Sequence, residues 1–75
     1  MKPISKMKIS SRLHVLRAEQ RMTQEQLARE VGVTRATIVA IEGEDYNPSL
    51  ELAFRLAKFF KTDIQNIFSA VEDKK

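Results

Sequence analysis

The sequence predicts an all-α bundle of five short helices. Hydrophobic residues make up 43% of the 75 residues, and the chain contains only two glycines and two prolines. Apolar side chains recur at helical spacing in short segments, with capping residues between them. Because a chain of this size buries only about 60% of its unfolded surface, its helices must pack closely in a single domain.

Capping residues mark the first three predicted helices. Thr23 and Gln26 form a capping box, in which each side chain bonds the backbone amide of the other residue. Gly32 ends the helix that follows, because glycine readily adopts the left-handed conformation after a last turn. Thr34 is the next N-cap. The three helices are expected over residues 10–21, 24–31 and 35–42.

Two further helices are expected after a loop over residues 43–48. Ser49 caps the fourth, and Thr62 with Gln65 forms a second capping box before a short fifth helix. Apolar residues at helical spacing in the fourth helix should face the core: Leu50, Ala53, Leu56, Ala57 and Phe60. Pairing of 68–72 with 6–9, as two short terminal strands, is left open. We divide the chain into an N-terminal arm (1–8), a domain (9–68) and a C-terminal tail (69–75).

The charge of the chain is unevenly distributed. Residues 1–41 hold eight Lys and Arg against three Asp and Glu, whereas residues 42–75 hold five against seven. A basic half indicates a polyanionic partner, although a chance imbalance on solvated helices looks the same. The chain has no apolar run of about 18 residues and no secretory signal, so we expect a cytoplasmic protein without a membrane partner.

The sequence offers little chemistry for catalysis or for a cofactor. It contains no cysteine, and His14 is its single histidine, which excludes a thiolate or multi-histidine metal site. That histidine lies on a predicted helix, without the strained elbow of a nucleophilic serine nearby. We therefore expect no enzyme activity, no catalytic residues, no metal and no cofactor.

The segment from Gln24 to Ile41 has the spacing of a helix-turn-helix unit. With Gln24 as position one, apolar residues occupy positions four, eight, ten, fifteen and eighteen, a small residue the fifth and glycine the ninth. Two helices that cross at about 90–120° through a short turn need this pattern. A helical hairpin without a DNA function is the weaker alternative. The seven residues are Leu27, Ala28, Val31, Gly32, Val33, Ile38 and Ile41.

These residues resemble the Cro-type, phage-repressor-like helix-turn-helix proteins of the Xre family. The similarity covers residues 9–68 and rests on Leu16-Arg17, 22–24, 27–38, Ile41-Glu42, 46–50 and 64–68. It is closest to members that consist of the DNA-binding domain alone. The resemblance implies a lambda-repressor-like five-helix fold and a transcriptional regulator that binds a palindromic double-stranded DNA operator as a homodimer. We expect a repressor; activation, and any contact with RNA polymerase or a toxin, stay open.

The resemblance also assigns DNA contacts. Because the second helix of the unit lies in the major groove, Arg35, Ala36 and Ala40 should face base edges. Arg35 can make two hydrogen bonds to guanine, whereas the alanines offer only methyl surface, suited to thymine. Phosphate contacts are assigned to Gln24, Thr34, Thr37, Tyr46 and Asn47. Many relatives have Asn-Gly-Lys after this helix; here Gly43-Glu-Asp lacks the cation, so the loop should lie farther from the duplex.

Two structural roles complete the interpretation. The resemblance pairs Arg17 with Glu42 in a semi-buried salt bridge that fixes geometry. Apolar residues near the C-terminus exceed what one small core absorbs, so the dimer interface is expected on Ile64, Ile67, Phe68 and Val71. A monomer whose core takes up these residues is the alternative. The competing function is a protein-interaction module, such as a DNA-binding antitoxin.

Overall fold

The computed structural model describes residues 3–72, which form five helices and two strands. Residues 1–2 of the expected arm and 73–75 of the expected tail lie outside the described residues. The helices confirm the five predicted from the sequence. In chain order the elements are β1 (Met7–Ser11), α1 (Leu13–Glu19), α2 (Gln24–Val31), α3 (Arg35–Glu42), α4 (Leu50–Phe59), α5 (Ile64–Ile67) and β2 (Phe68–Glu72).

The two strands form an antiparallel ribbon that joins the ends of the chain. Met7 pairs with Glu72, and Ser11 pairs with Phe68. The all-α prediction is therefore correct only in part, because the strand pairing that the sequence left open is present. Residues 7–8 of the expected arm and residues 69–72 of the expected tail pair with each other in this ribbon.

The first helix begins at Leu13 rather than at residue 10, because pairing in the ribbon holds residues 10 and 11 in a strand. Ser11 ends this strand, and its hydroxyl accepts a hydrogen bond from the Leu13 amide at 3.2 Å. The Arg12 amide donates to the Ile67 carbonyl at 2.7 Å. These bonds fix the start of α1 against the end of α5.

The predicted caps are present with one exception. In the capping box before α2, the Gln26 amide donates to Thr23 Oγ1 at 3.0 Å and the Thr23 amide donates to Gln26 Oε1 at 2.8 Å. The second predicted box is wrong. The residue before α5 is Asp63, so Thr62 lies one position too early, and its hydroxyl accepts from Asn66 Nδ2 at 2.6 Å instead.

One core cluster is built from α1 to α5 and the start of β2. Its members are Leu13, Leu27, Ala28, Val31, Ile38, Ile41, Leu52, Ala53, Leu56, Ala57, Phe60, Ile67 and Phe68. Leu50, predicted to face this core, is 71% exposed. It lies in the first turn of α4, at the edge of the face that Leu52, Ala53 and Leu56 bury.

Candidate nucleic-acid interface

The turn between α2 and α3 has the geometry that the sequence predicts. Gly32 is left-handed with a φ of 77°, and its amide donates to the Ala28 carbonyl. The Val33 amide donates to the same carbonyl at 2.9 Å. Ile38 and Ile41 are buried on the inner face of α3. The outer face of this helix therefore remains open to an external partner.

The outer face of α3 carries the three expected base-reading residues. Arg35 and Ala36 are exposed, and Ala40 is half-buried beside the exposed Val39. Within α3, Arg35 is the basic residue and lies in the first turn. Its guanidinium carries the donors that a guanine edge would accept, while Ala36 and Ala40 can offer only apolar contact.

A chain of polar contacts joins both ends of α3 to α1 and α2. Arg17 Nε donates to Glu42 Oε2 at 2.7 Å, and Arg17 Nη2 donates to Glu42 Oε1 at 3.1 Å. Gln24 Nε2 donates to the same Oε1 at 3.0 Å. Gln24 Oε1 in turn accepts from Arg35 Nη2 at 3.4 Å. The predicted pair is thus present, and Gln24 extends it to the candidate base-reading arginine.

The Arg17–Glu42 pair is largely shielded from solvent. The Glu42 side chain is 8% exposed and the Arg17 side chain 20%. Burial by itself would raise the pKa of the Glu42 carboxyl, but hydrogen bonds from Arg17 and Gln24 outweigh it and hold that pKa below its ordinary value. The bond to Glu42 likewise raises the pKa of Arg17. Both groups are therefore charged at neutral pH, and each one compensates the other.

The expected phosphate-contacting residues fall into separate groups. Gln24 is half-buried between Glu42 and Arg35. Thr34 caps α3 by accepting from the Thr37 amide at 3.3 Å, and the two hydroxyls are 3.1 Å apart.

Tyr46 and Asn47, the other two expected phosphate contacts, lie exposed in the loop between α3 and α4. The structure brings Gln24 next to Arg35, and Thr34 next to Thr37. The DNA contacts of all five residues stay predictions.

The loop after α3 is held by a contact that the sequence did not predict. Glu44 Oε2 accepts from the Ser11 amide at 2.9 Å and from Ser10 Oγ at 3.3 Å. The bond from the Ser11 backbone is the main cause of a lowered pKa at the Glu44 carboxyl. Because the partners are 33 and 34 residues apart in the chain, no local pattern could indicate this contact.

A second unpredicted contact supports the end of α2. Arg55 Nη1 donates to the Val31 carbonyl, one of the carbonyls that a helix end leaves without a partner. Glu51 holds the arginine through bonds of 3.0 and 2.7 Å to its Nε and Nη2 atoms. The i, i+4 spacing of Glu51 and Arg55 was a signal for this ion pair, but the sequence could not show that the pair reaches α2.

Two of the four residues expected at a dimer interface lie in the core. Ile67 is 1% exposed and Phe68 is 8% exposed, so in the single protomer both side chains pack inside its own core. The four-residue α5 turns directly into β2, and both side chains belong to the core cluster that residues of α4 share. Ile64 is half-buried, and Val71 is 54% exposed.

Two further observations bear on the kinds of site in residues 3–72. Across that range, no group of three or more His, Asp or Glu side chains is arranged to hold a metal ion. Nor is any helix of this described part both long enough and apolar enough to span a membrane.

Comparison with known proteins agrees with this geometry. Residues 13–67 match the family model described as helix-turn-helix. The chain is 47% identical over 66 residues to an uncharacterized HTH-type transcriptional regulator of Methanocaldococcus jannaschii. The aligned residues cover 88% of this chain and all of the relative. It is 36% identical to the cryptic phage CTXphi transcriptional repressor RstR of Vibrio cholerae, over 84% of this chain and 57% of the repressor.

Solved structures share the fold. The restriction-modification controller protein C.AhdI of Aeromonas hydrophila superposes with a TM-score of 0.66 at 30% identity, over 72% of this chain and 78% of that protein. The transcriptional regulator VanUg superposes with a TM-score of 0.76 over 97% of each chain; at 22% identity it supports the fold alone.

The fold and the α2–α3 unit thus define a helix-turn-helix protein. More specifically, the chain belongs to the Xre-like family of helix-turn-helix regulators.

Proposed function

We propose that this chain is a sequence-specific, double-stranded DNA-binding transcriptional regulator that acts as a homodimer on a palindromic operator. The observation that carries the proposal is the open face of α3, where Arg35 is exposed and contacts Gln24 at 3.4 Å. An exposed arginine at the start of a recognition helix suits bidentate contact with guanine in the major groove.

The proposed contacts divide into two kinds. Arg35, Ala36 and Ala40 read bases. Because only Arg35 has side-chain hydrogen-bond donors, methyl contacts of the two alanines with thymine carry part of the specificity. The phosphate contacts come from Gln24, Thr34, Thr37, Tyr46 and Asn47, which position the helix without reading sequence.

Dimerisation and repression follow from physical requirements and from one relative. A single recognition helix reads few base pairs, and a two-fold dimer doubles the site while matching a palindrome. Repression is proposed because a relative of 36% identity is named a phage repressor. A protein-interaction module such as an antitoxin is the second candidate, and the exposed apolar residues Leu50 and Phe54 on α4 favour a protein partner.

Selection of bound sequences from a random duplex pool tests the proposal. We expect the selected sequences to share a palindromic consensus. The logarithm of the binding constant should fall linearly with the logarithm of the salt concentration, with a slope of about −0.9 for each phosphate that the protein neutralises. A pool that enriches no sequence, or binding that does not change with salt, would contradict it. If the chain instead co-purifies with a small partner protein and that complex no longer binds DNA, the result would favour the second candidate, a protein-interaction module.

A further inference from the structure

The outer face of α3 carries a small apolar stripe. Ile38 and Ile41 are buried on the inner face of this helix. Because a helix advances about 100° per residue, the opposite face is formed by three apolar residues: Ala36, Val39 and Ala40. We call these three residues the apolar stripe. Val39 is the largest of them, and its side chain is 41% exposed.

The polar side chains of α3 are engaged elsewhere. Along this helix, which the structure describes in full, the polar residues besides Arg35 are Thr37 and Glu42. Thr37 Oγ1 lies 3.1 Å from Thr34 Oγ1, and the Glu42 carboxylate accepts from Arg17. After its first turn, α3 therefore offers a duplex methyl groups rather than hydrogen bonds.

Helix stability does not explain a valine at position 39. A β-branched residue has a lower helix propensity than alanine, and the core covers this side chain only in part. In a helix, however, valine has one strongly preferred rotamer. The two methyl groups of Val39 therefore have a fixed position, and contact with a ligand there costs little side-chain entropy.

One group in the major groove suits such a surface. Thymine presents its C5 methyl group there, beside hydrogen-bond donors and acceptors that apolar side chains cannot read. A methyl group on C5 of cytosine occupies the same position on the pyrimidine ring. The apolar stripe can therefore distinguish a methylated pyrimidine from an unmethylated one, but not thymine from 5-methylcytosine.

We propose that Val39 reads the C5 methyl group of a pyrimidine in the operator, so that methylation of a cytosine at this position creates the group that Val39 binds. This proposal rests on the proposed function, because it requires α3 to lie in the major groove. It adds a fourth base-reading residue to α3. It also makes the affinity of the protein for a cytosine-containing site depend on the methylation of that cytosine.

The position of the methyl group follows from Arg35. Val39 is four residues after Arg35, so the two side chains are neighbours on one side of α3, with Cβ atoms about 5–6 Å apart. Successive bases of a strand are about 3.4 Å apart along the axis of the duplex. If Arg35 binds a guanine, the methylated pyrimidine therefore lies one or two base pairs from it.

The size of the apolar stripe favours a base over a protein as its ligand. Two alanines and a half-covered valine provide only a small part of the roughly 800 Å² that each partner contributes to a standard protein interface. A single methyl group needs no larger surface. The exposed Arg35 beside the stripe also suits an anionic duplex.

Fluorescence anisotropy with the duplex selected from the random pool tests the proposal. Replacing each thymine in turn by deoxyuridine removes only the methyl group. At one position in each half-site we expect the affinity to fall about fourfold for each methyl group lost, and on the order of tenfold when both half-sites are changed. Cytosine at that position should bind as weakly as deoxyuridine, and 5-methylcytosine should restore the affinity to within a factor of about two of thymine.

Val39→Ala identifies the residue that reads the methyl group. Alanine is the better helix former and the side chain is exposed, so the variant should keep the wild-type helical content by circular dichroism. We expect its response to deoxyuridine to shrink to less than about twofold. Val71→Ala is the matched control: it changes a valine that is 54% exposed but lies in β2, and it should keep the full response.

The outcomes separate this proposal from the proposed function. Sequence-selective binding in which no thymine responds to deoxyuridine overturns the reading of a methyl group and leaves the proposed function intact. A response that persists in Val39→Ala, or that 5-methylcytosine fails to restore, overturns the role of Val39 in the same way. If the protein binds no selected duplex at all, both the proposed function and this proposal fail.

Discussion

The carboxylate of Glu44 accepts a hydrogen bond from the backbone amide of Ser11 at 2.9 Å. This contact ties the loop after α3 to the end of β1. Glu44 has a φ of 60°, an uncommon backbone conformation for a residue other than glycine. The surrounding contacts therefore hold the loop in one conformation, although the sequence of the loop alone would permit several.

We predict that the charge of Glu44 stabilises the fold at neutral but not at acid pH. Its folded-state pKa lies below the ordinary value of 4.5, so the stabilisation is fully present above about pH 4.5 and is lost as the pH falls through the folded value. Glu44→Gln keeps an acceptor but removes the charge. The difference in unfolding free energy between wild type and variant, measured by urea titration, should shrink from pH 7 to pH 3. A difference that grows on acidification would contradict the predicted sign.

Removing one partner of the Arg17–Glu42 pair should be costly. Arg17→Met leaves a carboxylate that is 8% exposed without its cation, and we expect a loss of about 2–3 kcal/mol, below the roughly 3–5 kcal/mol of a fully buried pair. The double variant Arg17→Met/Glu42→Leu should lose less than the sum of the single variants.

The exposed pair of Arg29 and Glu25, at 3.8 Å, is the control for this prediction. Arg29→Met should cost less than about 1 kcal/mol, because solvent screens exposed pairs. Chemical denaturation of all variants gives the comparison. Equal losses at Arg17 and Arg29 would show that the buried pair has no special role.

Replacing Gly32 should destabilise the fold more than replacing Gly43. Its φ is 77°, and an added Cβ would lie 3.3 Å from Arg55 Nη1. Gly32→Ala should cost about 1–2 kcal/mol, because the left-handed conformation disfavours a side chain. Gly43, with a φ of −81°, is the control for backbone conformation. An added Cβ there would lie 3.1 Å from Asp45 Oδ2, the end of an exposed side chain that can move, so Gly43→Ala should change stability by less than about 1 kcal/mol. A larger loss at Gly43 would refute the argument from backbone conformation.

Arg35 should determine base preference rather than general affinity. On the selected operator, Arg35→Ala should lose about 1–3 kcal/mol of binding free energy and relax the preference at one base pair in each half-site. Arg29→Ala removes the same charge from the exposed side of α2 and should weaken all duplexes only slightly. Fluorescence anisotropy with operator and random duplexes separates the two effects. Equal losses on both duplexes would identify Arg35 as a phosphate contact.

The sequence by itself determined the helix-turn-helix unit and most of the helices. Their signals are local: the capping box of Thr23 and Gln26, the glycine at position 32 and the apolar spacing from Leu27 to Ile41 all act within a few residues. Local backbone conformation and the burial of one helix face follow from such spacing. The Arg17–Glu42 pair was also predicted, but only through the resemblance to a known family.

The tertiary structure decided how distant segments meet. The ribbon takes residues 10 and 11 away from the first helix, because its pairing partners are near the other end of the chain. The contact of Glu44 with Ser11 and the contact of Arg55 with Val31 join separate elements. The same reason explains why Ile67, expected at the surface, is buried, and why Leu50, expected in the core, is exposed. Helical spacing shows that a residue lies on an apolar face, but only the packing of the other elements determines which apolar face is covered.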